Sequence, residues 1–255
     1  MTLTFTPLPR IPIISEGDNI AEKLLVSLQS VRISLEDGDI LVITQKIVSK
    51  AEGRLVNLGE ITPSKEAVDL ANRSGKDPRL VELILKESNE ILRIRQGTII
   101  VEHRLGFVCA NAGIDHSNVQ GKDGNPEDWV LLLPENPDHS ALEIRRKIKV
   151  ASGNRIGVMI IDSHGRAWRL GTIGTAIGIS GIPGIVDERG WQDLFGYRLK
   201  ITFVAAADEL AAAASLVMGE AAEGIPAVHV RGFPYPLRES SIKELIRPKE
   251  TDLFR

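Results

Sequence analysis

The chain is short of several things that would narrow its class. It has one cysteine, Cys109, in 255 residues. A lone thiol cannot form an intrachain disulfide and cannot supply the thiolate set of a structural zinc site, which points to a reducing compartment. It lies in an apolar run (FVCAN) and reads as a small core residue rather than a nucleophile. Aromatic residues make up only 4%, so aliphatic side chains must fill the core and a base-stacking nucleic-acid surface is disfavoured. No apolar run approaches the ~20 residues that cross a bilayer. The N-terminal MTLTFTPLPRIPII lacks the basic start and continuous apolar stretch of a signal peptide. Neither charge sign dominates: 31 Lys and Arg face 34 Asp and Glu, a net charge of −3, which gives no general attraction for nucleic acid or anionic lipid. No two of the five histidines have HxxxH spacing. GxxxxGK[ST], GxGxxG after a strand and GxSxG are all missing, which removes the ordinary P-loop, dinucleotide and serine-hydrolase sites. The expectation is a soluble cytoplasmic protein with no nucleic-acid or membrane partner.

What is present is enough for a substantial core, with 43% hydrophobic and 25% charged residues. Apolar periodicity predicts a helix over 18–31, and buried strands at 40–44 and 156–161. Thr62 with Pro63, and Asp77 with Pro78, read as caps of two short helices. Strand-like pieces at 91–94, 98–102 and 107–110, punctuated by Gly97 and Gly106, make a β-rich region. An apolar strand is expected at 129–133 and a capping box at Ser140–Glu143, opening a helix to about residue 150. Residues 199–205 read as another buried strand, and 208–222 as an alanine-rich helix with Gly224 as its C-cap. A last strand is expected at 227–230 and a short helix at 241–247. The fold class is α/β (α+β) with mixed sheets, and 1–255 is expected to be a single domain.

Three stretches carry candidate chemistry. The buried run 156–161 stops at Asp162-Ser163-His164-Gly165, read as a turn, where α/β folds place ligand groups. Asp and Ser are hard oxygen donors suited to Mg²⁺ or Mn²⁺ with substrate phosphates completing the shell. The five glycines from Gly171 to Gly184 read as a meander that lets backbone N–H groups approach a ligand. Past the strand at 40–44 lie Lys46 and Lys50, cations that can hold phosphate, although a lysine pair beside a turn is ordinarily solvated. Asn111, Asp115 and Asn118 offer oxygens in a loop of small residues. Glu220 and Glu223 are three apart and can share a helical face.

LPRIP (8–12), DGDILVITQKIVSKAEGR (37–54), ANAGIDHSN (110–118), RIGVMIIDSHGRAWRLGTIGTAIG (155–178) and VMGEAAEGIPAVHVRG (217–232) together resemble the coenzyme F420-0:L-glutamate ligase family, in order and across about residues 7–235. The resemblance implies that family's unusual fold of two intertwined subregions. It also implies a GTP- and Mg²⁺- or Mn²⁺-dependent ligase that joins L-glutamate to the deazaflavin precursor F420-0 through an acyl phosphate and then adds γ-linked glutamate. K⁺ is a further candidate ion, and a homodimer is the implied assembly. Some relatives continue into a nitroreductase-like domain, and none is expected here. By the same resemblance Asp115, Asp162 and Ser163 are metal ligands, with Glu220 a further one. Lys46 joins the two aspartates as a catalytic group. Leu8, Pro9, Arg10, Ile11, Thr44, Lys46, Asn118, Met218, Gly219, Glu220 and Gly224 contact the nucleotide. A metal-dependent nucleotide phosphohydrolase and a non-catalytic GTP-binding module are the competing readings.

Overall fold

A computed structural model describes residues 2–122 and 124–253. Along the chain run β1 (Thr4–Pro7), α1 (Ile20–Ser30), β2 (Ile40–Thr44), α2 (Gln45–Ala51), β3 (Leu55–Asn57), α3 (Lys65–Ser74) and α4 (Pro78–Lys86). Then come β4 (Ser88–Arg95), β5 (Thr98–His103), β6 (Val108–Ala110), β7 (Trp129–Leu131) and α5 (Pro137–Ser152). The rest is β8 (Gly157–Arg166), β9 (Arg169–Ser180), β10 (Val186–Asp187), β11 (Phe203–Val204), α6 (Ala206–Met218) and β12 (Ala227–Arg231).

The main sheet has the order β1-β12-β2-β8-β9. β2 and β8 are parallel and the other neighbours antiparallel, so the sheet is mixed. Successive side chains on a strand point to opposite faces, and here both faces are covered. Leu41, Ile43, Val158 and Ile160 join Ile20, Leu24 and Leu28 of α1 and Ile144 and Ile148 of α5 in one cluster. Ile40, Val42, Met159 and Ile161 face the other way, against Leu210, Ala214 and Met218 of α6. The continuous apolar runs of β2 and β8 follow from this helix–sheet–helix layering. Each such side chain contributes roughly 1.5–3 kcal/mol on burial. A further core lies where α3 and α4 pack on the sheet β4-β5-β6, around Leu70, Val81, Ile84, Ile99 and Val101.

The structure corrects several sequence readings. Asp162-Ser163-His164-Gly165 is not a turn, because β8 continues to Arg166 and pairs with β9 throughout. The glycine-rich stretch is largely that twelve-residue strand β9, not a meander. Two of its glycines, Gly174 and Gly178, let helices come close. A Cβ on Gly174 would lie 2.5 Å from the Ala211 carbonyl oxygen of α6, and one on Gly178 within 2.6 Å of the Pro137 backbone of α5. β9 is an edge strand, and side chains from both helices cap its amides. Ser215 accepts from Gly174 N at 3.1 Å, Asp208 from Ala176 N at 3.0 Å and Asp138 from Ile179 N at 2.8 Å. Such capping covers an edge that would otherwise pair with another chain.

Helix boundaries also move. Ser64, not Thr62, caps α3, accepting from Ala67 N at 3.1 Å. Asn136 caps α5 four residues before the expected cap, and Ser140 instead donates to Glu52. α6 ends at Met218 with Gly219 in the left-handed region (φ 74°), so Glu220 and Glu223 sit in a loop and share no helical face. Of 199–205 only Phe203–Val204 forms a strand, and it is a partly exposed two-stranded ribbon with β10. The Asp77 cap with Pro78 in the first turn is as expected.

Candidate functional site

The sheet makes the site by a mismatch of strand lengths. β2 ends at Thr44, opposite Ile161. β8 runs five residues further, and its next residues, Asp162, Ser163 and His164, line a cleft of about 740 Å³ where β2 has turned away into α2. Register shifts in the β8–β9 pairing at Ile160/Ile161, with Ile177 as the extra residue, so Asp162 follows directly on a bulge. Bulges re-aim side chains and recur beside active sites.

Three other segments complete the cleft. Lys46 in the first turn of α2 and Lys50 in its last turn line the cleft. The loop after β6 supplies Asp115, Ser117 and Asn118. It is pinned where Asp115 N donates to Leu131 O at 3.0 Å and Leu131 N to Asp115 O at 2.9 Å. The loop after α6 brings Gly219, Glu220 and Gly224, tied to β2 by Thr44 N donating to Pro226 O at 2.9 Å. The two loops meet where Asn118 Nδ2 donates to Ala221 O at 2.9 Å.

Eleven of the sequence-predicted site residues therefore line one cleft: Ile11, Thr44, Lys46, Asp115, Asn118, Asp162, Ser163, Met218, Gly219, Glu220 and Gly224. Leu8, Pro9 and Arg10 do not. Leu8 is fully buried, with its N–H on Ala227 O at 2.9 Å, and the Pro9 carbonyl accepts from Ser27 at 2.6 Å. Asp162 and Ser163 do not act as a pair. Strand alternation sends them to opposite faces, where Asp162 Oδ2 lies 3.0 Å from His164 Nε2 and Ser163 donates to Glu220 at 2.9 Å. Two neighbours escaped the sequence reading. Gln45 is fully buried and donates to Asp115 Oδ2 at 2.6 Å. His164 shares a strand face with Asp162, which its i, i+2 spacing in DSH would have indicated.

The electrostatics tie the two aspartates together. Burial, then the nearby Asp162 charge, push the Asp115 carboxyl up, against the opposing pull of Lys46 and Gln45, to about 6. Lys46 Nζ sits 3.2 Å from Asp115 Oδ2 and also donates to Ser117 Oγ at 2.7 Å. Lys50 Nζ donates to Asn118 O at 2.8 Å, and burial together with the Lys46 charge lowers its pKa. Burial and the Asp162 charge push the Cys109 thiol up to about 12, so it stays protonated and inert, as a core residue should.

Comparison with known proteins gives this arrangement a family. A family model described as F420-0:Gamma-glutamyl ligase matches residues 9–232. The chain belongs to that family. A protein of Methanothermobacter thermautotrophicus described as coenzyme F420:L-glutamate ligase is 50% identical over 246 residues, covering 96% of this chain and 95% of that protein. Proteins with the same description from Methanocaldococcus jannaschii (46% identical; 96% and 94% covered) and Archaeoglobus fulgidus (44%; 100% and 97%) are similar along the same length. As a member of the F420-0:gamma-glutamyl ligase family the chain is an enzyme, a ligase.

The donor set of this ligase bears on which metal it could hold. Among the described residues no group of three or more His, Cys, Asp or Glu side chains is arranged to bind a metal. The Asp115 and Asp162 carboxylates, with the Ser163 hydroxyl turned to the other face of β8, would leave most of a coordination shell to substrate. That suits Mg²⁺ or Mn²⁺, which keep waters and phosphate oxygens as ligands, and does not suit a closed zinc site. Among the described residues no helix is long and apolar enough to cross a membrane.

Proposed function

We propose that this chain uses GTP to join L-glutamate to the deazaflavin precursor F420-0, and then joins the amine of a further glutamate to the γ-carboxyl of the first. One observation carries the reading: Asp115 and Asp162 line one cleft together with Lys46 and Lys50. Acidic and basic groups in one pocket suit a triphosphate with its cation, whereas an ordinary anion site would not bring two carboxylates together. The names carried by the similar proteins supply the acceptor and the amino acid.

In this reading the acceptor carboxylate attacks the γ-phosphorus and GDP leaves. The glutamate amine then attacks the acyl carbon, inorganic phosphate leaves, and the amide forms. Phosphoryl transfer of this kind needs alignment and charge neutralisation more than a protein nucleophile. Lys46 and Lys50 supply positive charge beside the phosphates, and Asn118 with the loop at 219–225 walls the nucleotide. Asp115 and Asp162 would hold Mg²⁺ or Mn²⁺, which when bound neutralises charge on the phosphate oxygens. The walls formed by Ile11, Ile14 and Ile114 keep water from the acyl phosphate. We assign the reaction to the cytoplasm, in keeping with the lone buried thiol.

The test is mass spectrometry of F420-0 incubated with the protein, GTP, Mn²⁺ and L-glutamate. Mass additions of single glutamate residues are expected. Phosphate release without them would make the protein a nucleotide phosphohydrolase, and binding without either would make it a non-catalytic module. A homodimer belongs to the same proposal. Leu170, Leu194, Phe195 and Ile201, 86–98% accessible, are the apolar side chains that such a dimer could bury. Light scattering at the monomer mass across micromolar concentrations would refute it.

A further inference from the structure

We propose that Gln45 and Ser49 form a buried positioning relay that fixes the Asp115 carboxylate, and that this relay sets how tightly the cleft holds a divalent cation. The inference rests on the proposed role of Asp115, but it concerns residues to which that reading gives no part.

Gln45 opens α2 and Ser49 stands one turn later, so their side chains share a helix face. Both are fully buried. The Ser49 hydroxyl donates to Gln45 Oε1 at 2.8 Å, and Gln45 Nε2 donates to Asp115 Oδ2 at 2.6 Å. The direction of this chain is forced at its far end. Turning the amide over would set its carbonyl oxygen against a carboxylate oxygen, two acceptors at hydrogen-bond distance with no proton between them. Ser49 holds the amide the right way round by occupying its oxygen. Buried amides are costly unless paired. Gln45 is paired at both ends, which makes it a rigid support rather than a surface contact.

The relay loads one carboxylate oxygen only. Lys46 Nζ, at 3.2 Å, approaches the same Oδ2. Among the described residues no hydrogen bond falls on Oδ1. The carboxylate is thus gripped by one oxygen from two sides, and its other oxygen is left for a ligand. Partners of this kind, which orient a metal-binding carboxylate without touching the metal, typically change affinity or activity 10–100-fold when removed.

The test uses Gln45→Met, Ser49→Ala and the conservative Ser49→Thr, each checked for an unchanged far-UV spectrum and a cooperative melt. Mn²⁺ binding to the nucleotide-free protein, read by electron paramagnetic resonance, is expected to weaken 10–100-fold in Gln45→Met. It should weaken severalfold in Ser49→Ala and recover toward wild type in Ser49→Thr. Half-saturating Mn²⁺ in ligation should rise in parallel, with the KM for glutamate unchanged. Crystal structures of the metal-free variants give a readout independent of metal and turnover, in which the Asp115 carboxylate should leave its wild-type position. Folded Gln45→Met and Ser49→Ala with Asp115 unmoved, or with Mn²⁺ affinity within twofold of wild type, would overturn the relay. A wild-type protein that binds Mn²⁺ but adds no glutamate would refute the proposed function and leave the relay to be judged on binding and structure.

Discussion

Replacing Gly174 with alanine should destabilise the protein by an amount that the helix–sheet contact sets. The new Cβ would lie 2.5 Å from the Ala211 carbonyl oxygen and 2.7 Å from the Ser215 Cβ, where ordinary contact begins at 3.4 Å. The nearer obstacle is backbone and cannot rotate aside, so α6 must retreat by about 0.9 Å at that point or β9 must bend. Overpacking of this kind costs about 1–3 kcal/mol. For a domain of this size each kcal/mol lowers Tm by about 2–4 °C, so the expected loss is about 2–12 °C. The bond from Gly174 N to Ser215 Oγ would stretch beyond its 3.1 Å. Because α6 leads through Met218 into the cleft loop, the KM for GTP should rise as well. Gly165→Ala is the matched control. It sits on the paired strand β8, and a Cβ there meets nothing within 4 Å, so stability should change by no more than about 0.5 kcal/mol. Differential scanning calorimetry of the three proteins decides the matter. If Gly174→Ala melts within 1 °C of Gly165→Ala, the glycines of β9 do not serve helix packing, and the close approach of α6 is not what keeps a side chain out of position 174.

Asp115→Ala and Asp162→Ala should leave the protein folded but abolish Mn²⁺-dependent ligation, and near-normal turnover in either variant would remove that residue from the site. At the far end of β2, Asp39 is buried between His229 (2.9 Å) and Arg231 (2.7 Å). Burial works to raise its carboxyl, but Arg231 and His229 outweigh burial and hold it well below the usual carboxylate range. Its folded pKa is depressed, so this stability is fully present above about pH 4 and is lost as pH falls through the folded value. Arg231→Met should cost roughly 3 kcal/mol at pH 7 by leaving a buried charge poorly paired, and Asp39→Asn should flatten the acid limb of a urea-denaturation series. Burial pushes His103 down to about 4 despite the opposing Glu87 charge. The unfolded chain therefore takes up that proton first, near its ordinary value of about 6.5, and stability falls as pH drops from there toward 4. In NMR spectra of the folded protein the His103 ring should not titrate between pH 5 and 8, and a midpoint near 6.5 would show that it is not buried as described.

Where a segment's neighbours lie on both sides of it, the sequence was enough. β2 is found at residues 40–44 as expected, because four successive apolar side chains have no other way to be buried than in a sheet covered on both faces. Asp77 was legible as a cap because Pro78 follows it and no other cap residue competes nearby. Thr62 was misread because Ser64 stands two residues on, and Ser140 because Asn136 stands four residues before it. Either residue could cap by its own chemistry, and only the path of the incoming chain chooses. The β9 glycines were misread for the same kind of reason. A missing Cβ says that something comes close, and what comes close is settled by helices 30–40 residues away in sequence.

Strand lengths explain how much of the cleft lining could be read from the sequence. In β8 the apolar run ends at Ile161, the last residue with a partner on β2, and the polar residues begin with the first that has none. The change from IGVMII to DSHG therefore marks the edge of a neighbouring strand, not the end of its own. That is why there is no turn there, while the Asp162 side chain of the intact strand still lines the cleft. The same overhang separates the side chains that follow. Alternation along an intact strand gives Asp162 and His164 one face and Ser163 the other, whereas a turn would have left all three free to converge. Glu220 meets Ser163 only because α6 stops at Gly219 and releases the chain toward that second face. Two pairs of side chains, Asp115 with Asp162 and Ser163 with Glu220, thus line one cleft, and Asp162 and Ser163 reach it from opposite faces of a β8 that stays continuous.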